Sequence, residues 1–132
     1  MLTIEQVAKI CHAANRAYCK SIGDFSIKNW EETEQHVKDS IKDGIKNIIE
    51  RSITNPKESH ESWLAFKIKE GGWKYGPIKN IEKKIHPCFM EYSQLPEEHR
   101  IKNEIFFSIV TTLRNNSTIV GEEQQCLNHQ IM

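Results

Sequence analysis

No stretch of this chain is apolar for more than a few residues, so nothing in it offers the roughly 20 apolar positions that a membrane-spanning helix needs. The opening Met1-Leu2-Thr3-Ile4-Glu5-Gln6 has neither a basic nor a hydrophobic segment, so no signal peptide is expected. The expected location is the cytoplasm, with no membrane partner. Charge of one sign is also missing, with 18 basic residues against 18 acidic ones. That balance removes the global field that draws proteins to long nucleic acid or anionic lipid. Any anion site must therefore be local.

Paired cysteines are absent as well. Cys11, Cys19, Cys88 and Cys126 have no short paired spacing, which fits reduced thiols better than a disulfide framework. Cys11 and Cys19 lie about two helical turns apart, too far along the axis for a bond that needs Cα atoms within about 7 Å. His86-Pro87-Cys88 and Cys11-His12 lack the two-residue spacings that let side chains converge on a tetrahedral ion, so no metal is expected. There is no nucleophile elbow, no Walker loop and no histidine pair with an interposed acid. Gly71-Gly72 is too short to cradle a phosphate. The chain is expected to be neither an enzyme nor a holder of a cofactor.

What is present describes one small domain. The chain has 132 residues, 38% hydrophobic and 27% charged, with three Trp, three Tyr and five Phe, which is enough apolar matter for a modest core. Thr3 and Gln6 read as a capping box, and Ile4, Val7, Ala8, Cys11, Ala14, Tyr18 and Ile22 recur at helical spacing until Gly23-Asp24. A second helix is expected from about Trp30 to Ser52, carrying Val37, Ile41, Ile45, Ile48 and Ile49, with Lys38, Lys42 and Lys46 on its opposite face. Thr54-Asn55-Pro56 ends it.

Ser59 can cap a third helix with Trp63, Leu64 and Ile68, and Gly71-Gly72 stops that one. The aromatic, turn-rich Trp73-Lys74-Tyr75-Gly76-Pro77-Ile78-Lys79 reads as extended chain. Leu95-Pro96-Glu97-Glu98 opens a last helix whose stripe is Ile101, Ile105, Phe106, Ile109, Val110 and Leu113. The expected fold is mainly α: a small bundle of about four helices, with a long irregular aromatic-rich connection between the third and the last. Residues 1–115 form the domain, and 116–132 a polar, loosely held tail.

The order of several unusual segments carries a resemblance. Val7-Ala8-Lys9-Ile10-Cys11-His12-Ala13-Ala14-Asn15-Arg16-Ala17-Tyr18-Cys19 is followed by Gly23-Asp24, Trp30, Asn55-Pro56 and Ser59-His60-Glu61-Ser62-Trp63. The most distinctive run is Gly72-Trp73-Lys74-Tyr75-Gly76-Pro77-Ile78-Lys79-Asn80, and then come His86-Pro87-Cys88 and Tyr92-Ser93-Gln94-Leu95-Pro96. From Val7 to about Leu113 the chain resembles the ryanodine-receptor repeat (RyR) domain, found in tandem in those calcium channels and singly in bacterial and phage proteins. The resemblance implies an α-helical bundle used for recognition rather than reaction. It also implies binding of adenine-type nucleotides through stacked tryptophans. Repeats of that family come in pairs, so a chain with one repeat is expected to form a homodimer. Where the family has Lys-Asp after the Gly-Pro turn, this chain has Lys79-Asn80, one carboxylate fewer.

The residues point the same way through their own chemistry. Six lysines stand against two glutamates between residues 67 and 84, either as a solvated surface or as a basic patch beside aromatics for a phosphorylated ligand. Trp63 reads either as core or as a stacking surface, whereas Trp73 and Tyr75 alternate with Lys74 on extended chain and favour stacking. Arg16 and its neighbour Asn15, in the middle of the first helix, need an acid or a phosphate, and His60 near a helix start can serve a ligand or a cap. The expected site is therefore Trp63, Trp73 and Tyr75 for stacking, with Lys67, Lys79, Arg16, Asn15 and His60 around a nucleotide-type small molecule, bound or sequestered as a signal. A protein-interaction or scaffold domain is the alternative, and a nucleotide-processing enzyme is the third.

Overall fold

In the computed structural model, which describes residues 1–121, the apolar spacing of the sequence folds into four helices, α1 (Ile4–Ser21), α2 (Gln35–Glu50), α3 (Pro56–Glu70) and α4 (Glu97–Asn116). Among these residues no helix is long and apolar enough to cross a membrane. The expected capping box opens α1: Gln6 N–H donates to Thr3 Oγ1 at 3.0 Å, and Thr3 N–H donates to Gln6 Oε1 at 2.9 Å. α1 packs against α2 and α4, and Ile4, Val7, Ala8, Cys11, Trp30, Ile45, Ile48 and Val110 close the core between them. Val7, Ile45, Ile48 and Val110 are wholly buried, each side chain contributing about 1.5 to 3 kcal/mol by leaving water.

Several boundaries differ from the expectation for local reasons. α2 begins at Gln35 rather than near Trp30, because Asn29 first closes a turn. Glu32 N–H donates to Asn29 Oδ1 and Thr33 N–H to the Trp30 carbonyl. Trp30 is thereby set into the core against His12, ring centroids 5.8 Å apart. Lys38 and Lys42 do not line an outer face: Lys38 Nζ lies 5.2 Å from the Trp30 ring centre and Lys42 Nζ 3.7 Å from Glu5 of α1. Asn55, not Ser59, caps α3. Its Oδ1 accepts from Glu58 N–H at 2.9 Å, and Pro56 takes the first helical position, where a missing N–H costs nothing.

Between α3 and α4 runs the irregular, aromatic-rich connection. Two short strands within it, β2 (Lys74–Tyr75) and β3 (Ile85–His86), pair in parallel with Lys74 opposite Ile85 and Tyr75 opposite His86. A 3-10 turn (Tyr92–Gln94) leads to α4. Outside this connection, the N-terminal strand β1 (Leu2–Thr3) lies parallel to β4 (Ile119–Val120). The chain therefore continues in ordered structure past residue 116, where the polar tail was expected to begin. The remainder of that tail, with Cys126, lies outside the described residues.

Candidate functional site

α3 carries apolar residues all round its axis rather than on one stripe, and its one buried residue is a histidine. His60, Trp63 and Lys67 sit at i, i+3 and i+7, which places them along one side of the helix. The Trp73–His86 segment packs over that side. His60 stacks at 5.5 Å on Trp63 and at 6.0 Å on Tyr92. His86 stands edge-on between the two tryptophans, 4.9 Å from Trp63 and 6.4 Å from Trp73. Lys67 Nζ lies 4.4 Å from the centre of the Trp73 ring, a cation over an aromatic face, and 3.3 Å from Glu70.

Hydrogen bonds lock the histidines. His60 Nε2 donates to the Met90 carbonyl at 2.7 Å, which ties α3 to the loop before α4. Cys88 N–H donates to His86 Nδ1 at 3.0 Å, so Nδ1 must be unprotonated and the neutral ring carries its proton on Nε2. Burial, reinforced by the Lys79 and Lys67 charges and by His99 and His60, pushes the His86 pKa down to about 4. Burial likewise raises the Cys88 thiol and lowers His99, whose Nδ1 lies 3.5 Å from Cys88 Sγ. Both shifts favour neutral partners, so the pair is a thiol beside an imidazole and not the thiolate–imidazolium of a cysteine nucleophile.

The indole Nε1 of Trp73 is buried and has no hydrogen-bond partner among the described residues. Such an orphaned donor is costly unless something outside the chain accepts from it. Among the described residues no group of three or more His, Cys, Asp or Glu is placed to hold a metal ion.

Of the residues singled out from sequence, Trp63, Trp73, Lys67 and His60 come together here, and Lys79 lies close enough for its charge to act on His86. Tyr75 opposes His86 across the strand pair but is 58% exposed. Arg16 and Asn15 are engaged elsewhere. Arg16 Nε donates to the Ile27 carbonyl at 3.1 Å, and Asn15 Oδ1 faces Cys19 Sγ at 3.9 Å. His86, Tyr92 and His99 belong to the cluster without having been picked out as site residues. In sequence His86-Pro87-Cys88 carries part of the family resemblance and lacks metal-ligand spacing, with nothing to assign His86 a role in a site.

Two open clefts lie away from these aromatics. One of about 640 Å³ runs between the end of α2 and α4, where Arg114 is already engaged with the Ile48 carbonyl. The other, of about 330 Å³, is bordered by Glu61, Glu91 and Lys57, and Lys57 pairs with Glu61. The cations of both clefts are engaged, whereas in the tryptophan–histidine cluster Lys79 makes no ion pair among the described residues, so the cluster is the better candidate for an anionic ligand.

The model of the RyR domain family matches residues 40–120. The chain belongs to the RyR domain family. The matched segment starts within α2 and includes α3, both strands of the connection and all of α4, so every member of the cluster lies inside it. α1, with Asn15 and Arg16, precedes the match.

Proposed function

We propose that this RyR domain is a non-catalytic binding module for a nucleotide or nucleotide-derived signalling ligand. The base stacks on Trp63 and Trp73, and the phosphates meet Lys67 and Lys79. One observation carries the reading: Trp73 has a lysine over its face and a buried N–H with no acceptor among the described residues. A base-and-phosphate ligand complements such a surface, with stacking worth about 1 to 3 kcal/mol per base. On this reading the protein is a cytoplasmic single-repeat member, of the kind found in bacteria and phages, that sequesters or senses its ligand, and a second copy supplies the paired repeat.

Thermal unfolding against mononucleotides, cyclic mono- and dinucleotides and adenosine-ribose derivatives tests this. A ligand at about 100 times its dissociation constant adds about 2.7 kcal/mol of stability, an upward shift of several degrees. A flat response across the panel at millimolar concentration refutes the ligand reading. It would favour a protein-interaction domain, for which the exposed Phe66, Ile68 and Ile78 are the supporting observation.

A further inference from the structure

His86 is the one ring of the cluster in contact with both tryptophans, and neither composition nor motif marked it as part of a site. Its Nδ1 is committed to Cys88 N–H. Among the described residues Nε2 has no hydrogen-bond partner, and the atom is not sealed from solvent. The neutral ring thus holds a donor open to an incoming acceptor.

The charges around it have one sign. Burial first, and then the charges of Lys79 in the connection and Lys67 on α3, disfavour a proton on His86, and His99 of α4 and His60 of α3 add to this only when protonated. Lys102 adds a further positive charge beside Cys88 and His99. Of the acids nearby, Glu70 pairs with Lys67, and the charge of Glu98 acts on His99. A ring kept neutral by burial and by neighbouring cations gains a counter-charge when an anion arrives, which raises its affinity for a proton.

We propose that His86 is the residue through which this site recognises a phosphate-type anion, donating from Nε2 and taking up a proton as the anion settles between Lys67 and Lys79. The proposal rests on the ligand-binding reading above and adds to it the charge of the group bound and the residue that reads it. The proton comes from solvent and lands on Nδ1 of His86, since Nε2 already carries one, and the Cys88 N–H contact is displaced as it does so. Binding is therefore proton-linked, and affinity rises as pH falls.

The test uses the full chain with two probes, ADP-ribose, whose diphosphate does not titrate near neutrality, and inorganic sulfate. Calorimetry in buffers of different ionisation enthalpy is expected to show proton uptake with ADP-ribose. Affinity should rise by up to about tenfold per pH unit between about pH 8 and about pH 6. The imidazole chemical shifts of His86 should report a titration midpoint moved upward in the complex. His86→Gln, which can donate but cannot ionise, should abolish the uptake, and if that variant does not fold the shift titration of the unaltered protein decides. Pairing of ADP-ribose without proton uptake, or uptake that survives in His86→Gln, overturns the inference and leaves the ligand reading standing. Failure of ADP-ribose to bind while sulfate raises the His86 midpoint supports the inference and refutes the nucleotide. If neither probe moves His86, the inference is wrong.

Discussion

Trp73 does two things at once, since its face supports a cation and its N–H is buried without an acceptor. The two roles separate by substitution. Trp73→Phe keeps an aromatic face and removes the donor. If the ligand accepts from that N–H, its affinity should fall by roughly five- to tenfold, the value of about one net hydrogen bond. Trp73→Ala removes the stacking surface as well and should lose about 1 to 3 kcal/mol. Titration calorimetry with the ligand found by thermal shift measures both. Equal affinities for Trp73→Phe and the unaltered protein would show that the indole N–H is a cost of packing and not a contact.

Cys11 illustrates the opposite case, a reactive residue type made inert by its surroundings. Burial in the α1 face pushes its thiol up to about 12, so alkylation at neutral pH should reach it only after denaturation, as peptide mass analysis of labelled native protein would show.

Side-chain caps open α1 and α3, whereas α2 and α4 start without one. α3 has little amphipathic character, and it depends on its start: Asn55 caps it, while Thr54 N–H and Oγ1 both donate to the Glu58 carboxylate. Asn55→Ala should therefore destabilise the fold by about 1 kcal/mol in denaturant titration. Because His60, Trp63 and Lys67 lie on α3, it should also weaken ligand binding. The β2–β3 pair is even more sensitive. Gly76 is packed so closely on the Ile85 side chain that a Cβ there would overlap Ile85 Cγ2. Gly76→Ala must push β2 from β3, and with them Trp73 from His86. We expect loss of binding together with a lower melting temperature, whereas Gly71→Ala, beside open space, should act only through its left-handed backbone at φ 80°.

For the whole molecule, pH acts through histidines kept neutral by burial. His86 has a folded-state pKa of about 4 against an ordinary 6.5, and His99 is lowered as well. A depressed value means that the folded state resists protonation more than the unfolded chain does. The associated stability is complete above about pH 6.5 and is lost as pH falls toward 4. The ligand-free melting temperature should decline through that window, and His86→Gln should make the decline shallower. An anionic ligand bound at His86 should offset it, so the stabilisation by ligand grows as the bare protein weakens.

Across these scales, sequence alone determined what depends on neighbours along the chain. The α1 capping box, the α1 and α2 core stripes, the stop at Gly71-Gly72 and the extended aromatic run follow from spacing and from proline and glycine chemistry. The order of segments identified the family, and residue chemistry singled out Trp63, Trp73, Lys67 and His60, which the fold brings together. Tertiary structure decided what depends on residues distant in sequence. His86 joins the site because β3 pairs with β2 and presses its ring between Trp63 and Trp73. Arg16 and Asn15 are engaged away from the cluster because the connection after α1 folds back to offer the Ile27 carbonyl. Lys38 and Lys42, polar by type, cover the core because α1 and Trp30 lie beside them. A residue's chemistry is local, but the field and the partners that set its protonation state come from the packing of helices far apart along the chain.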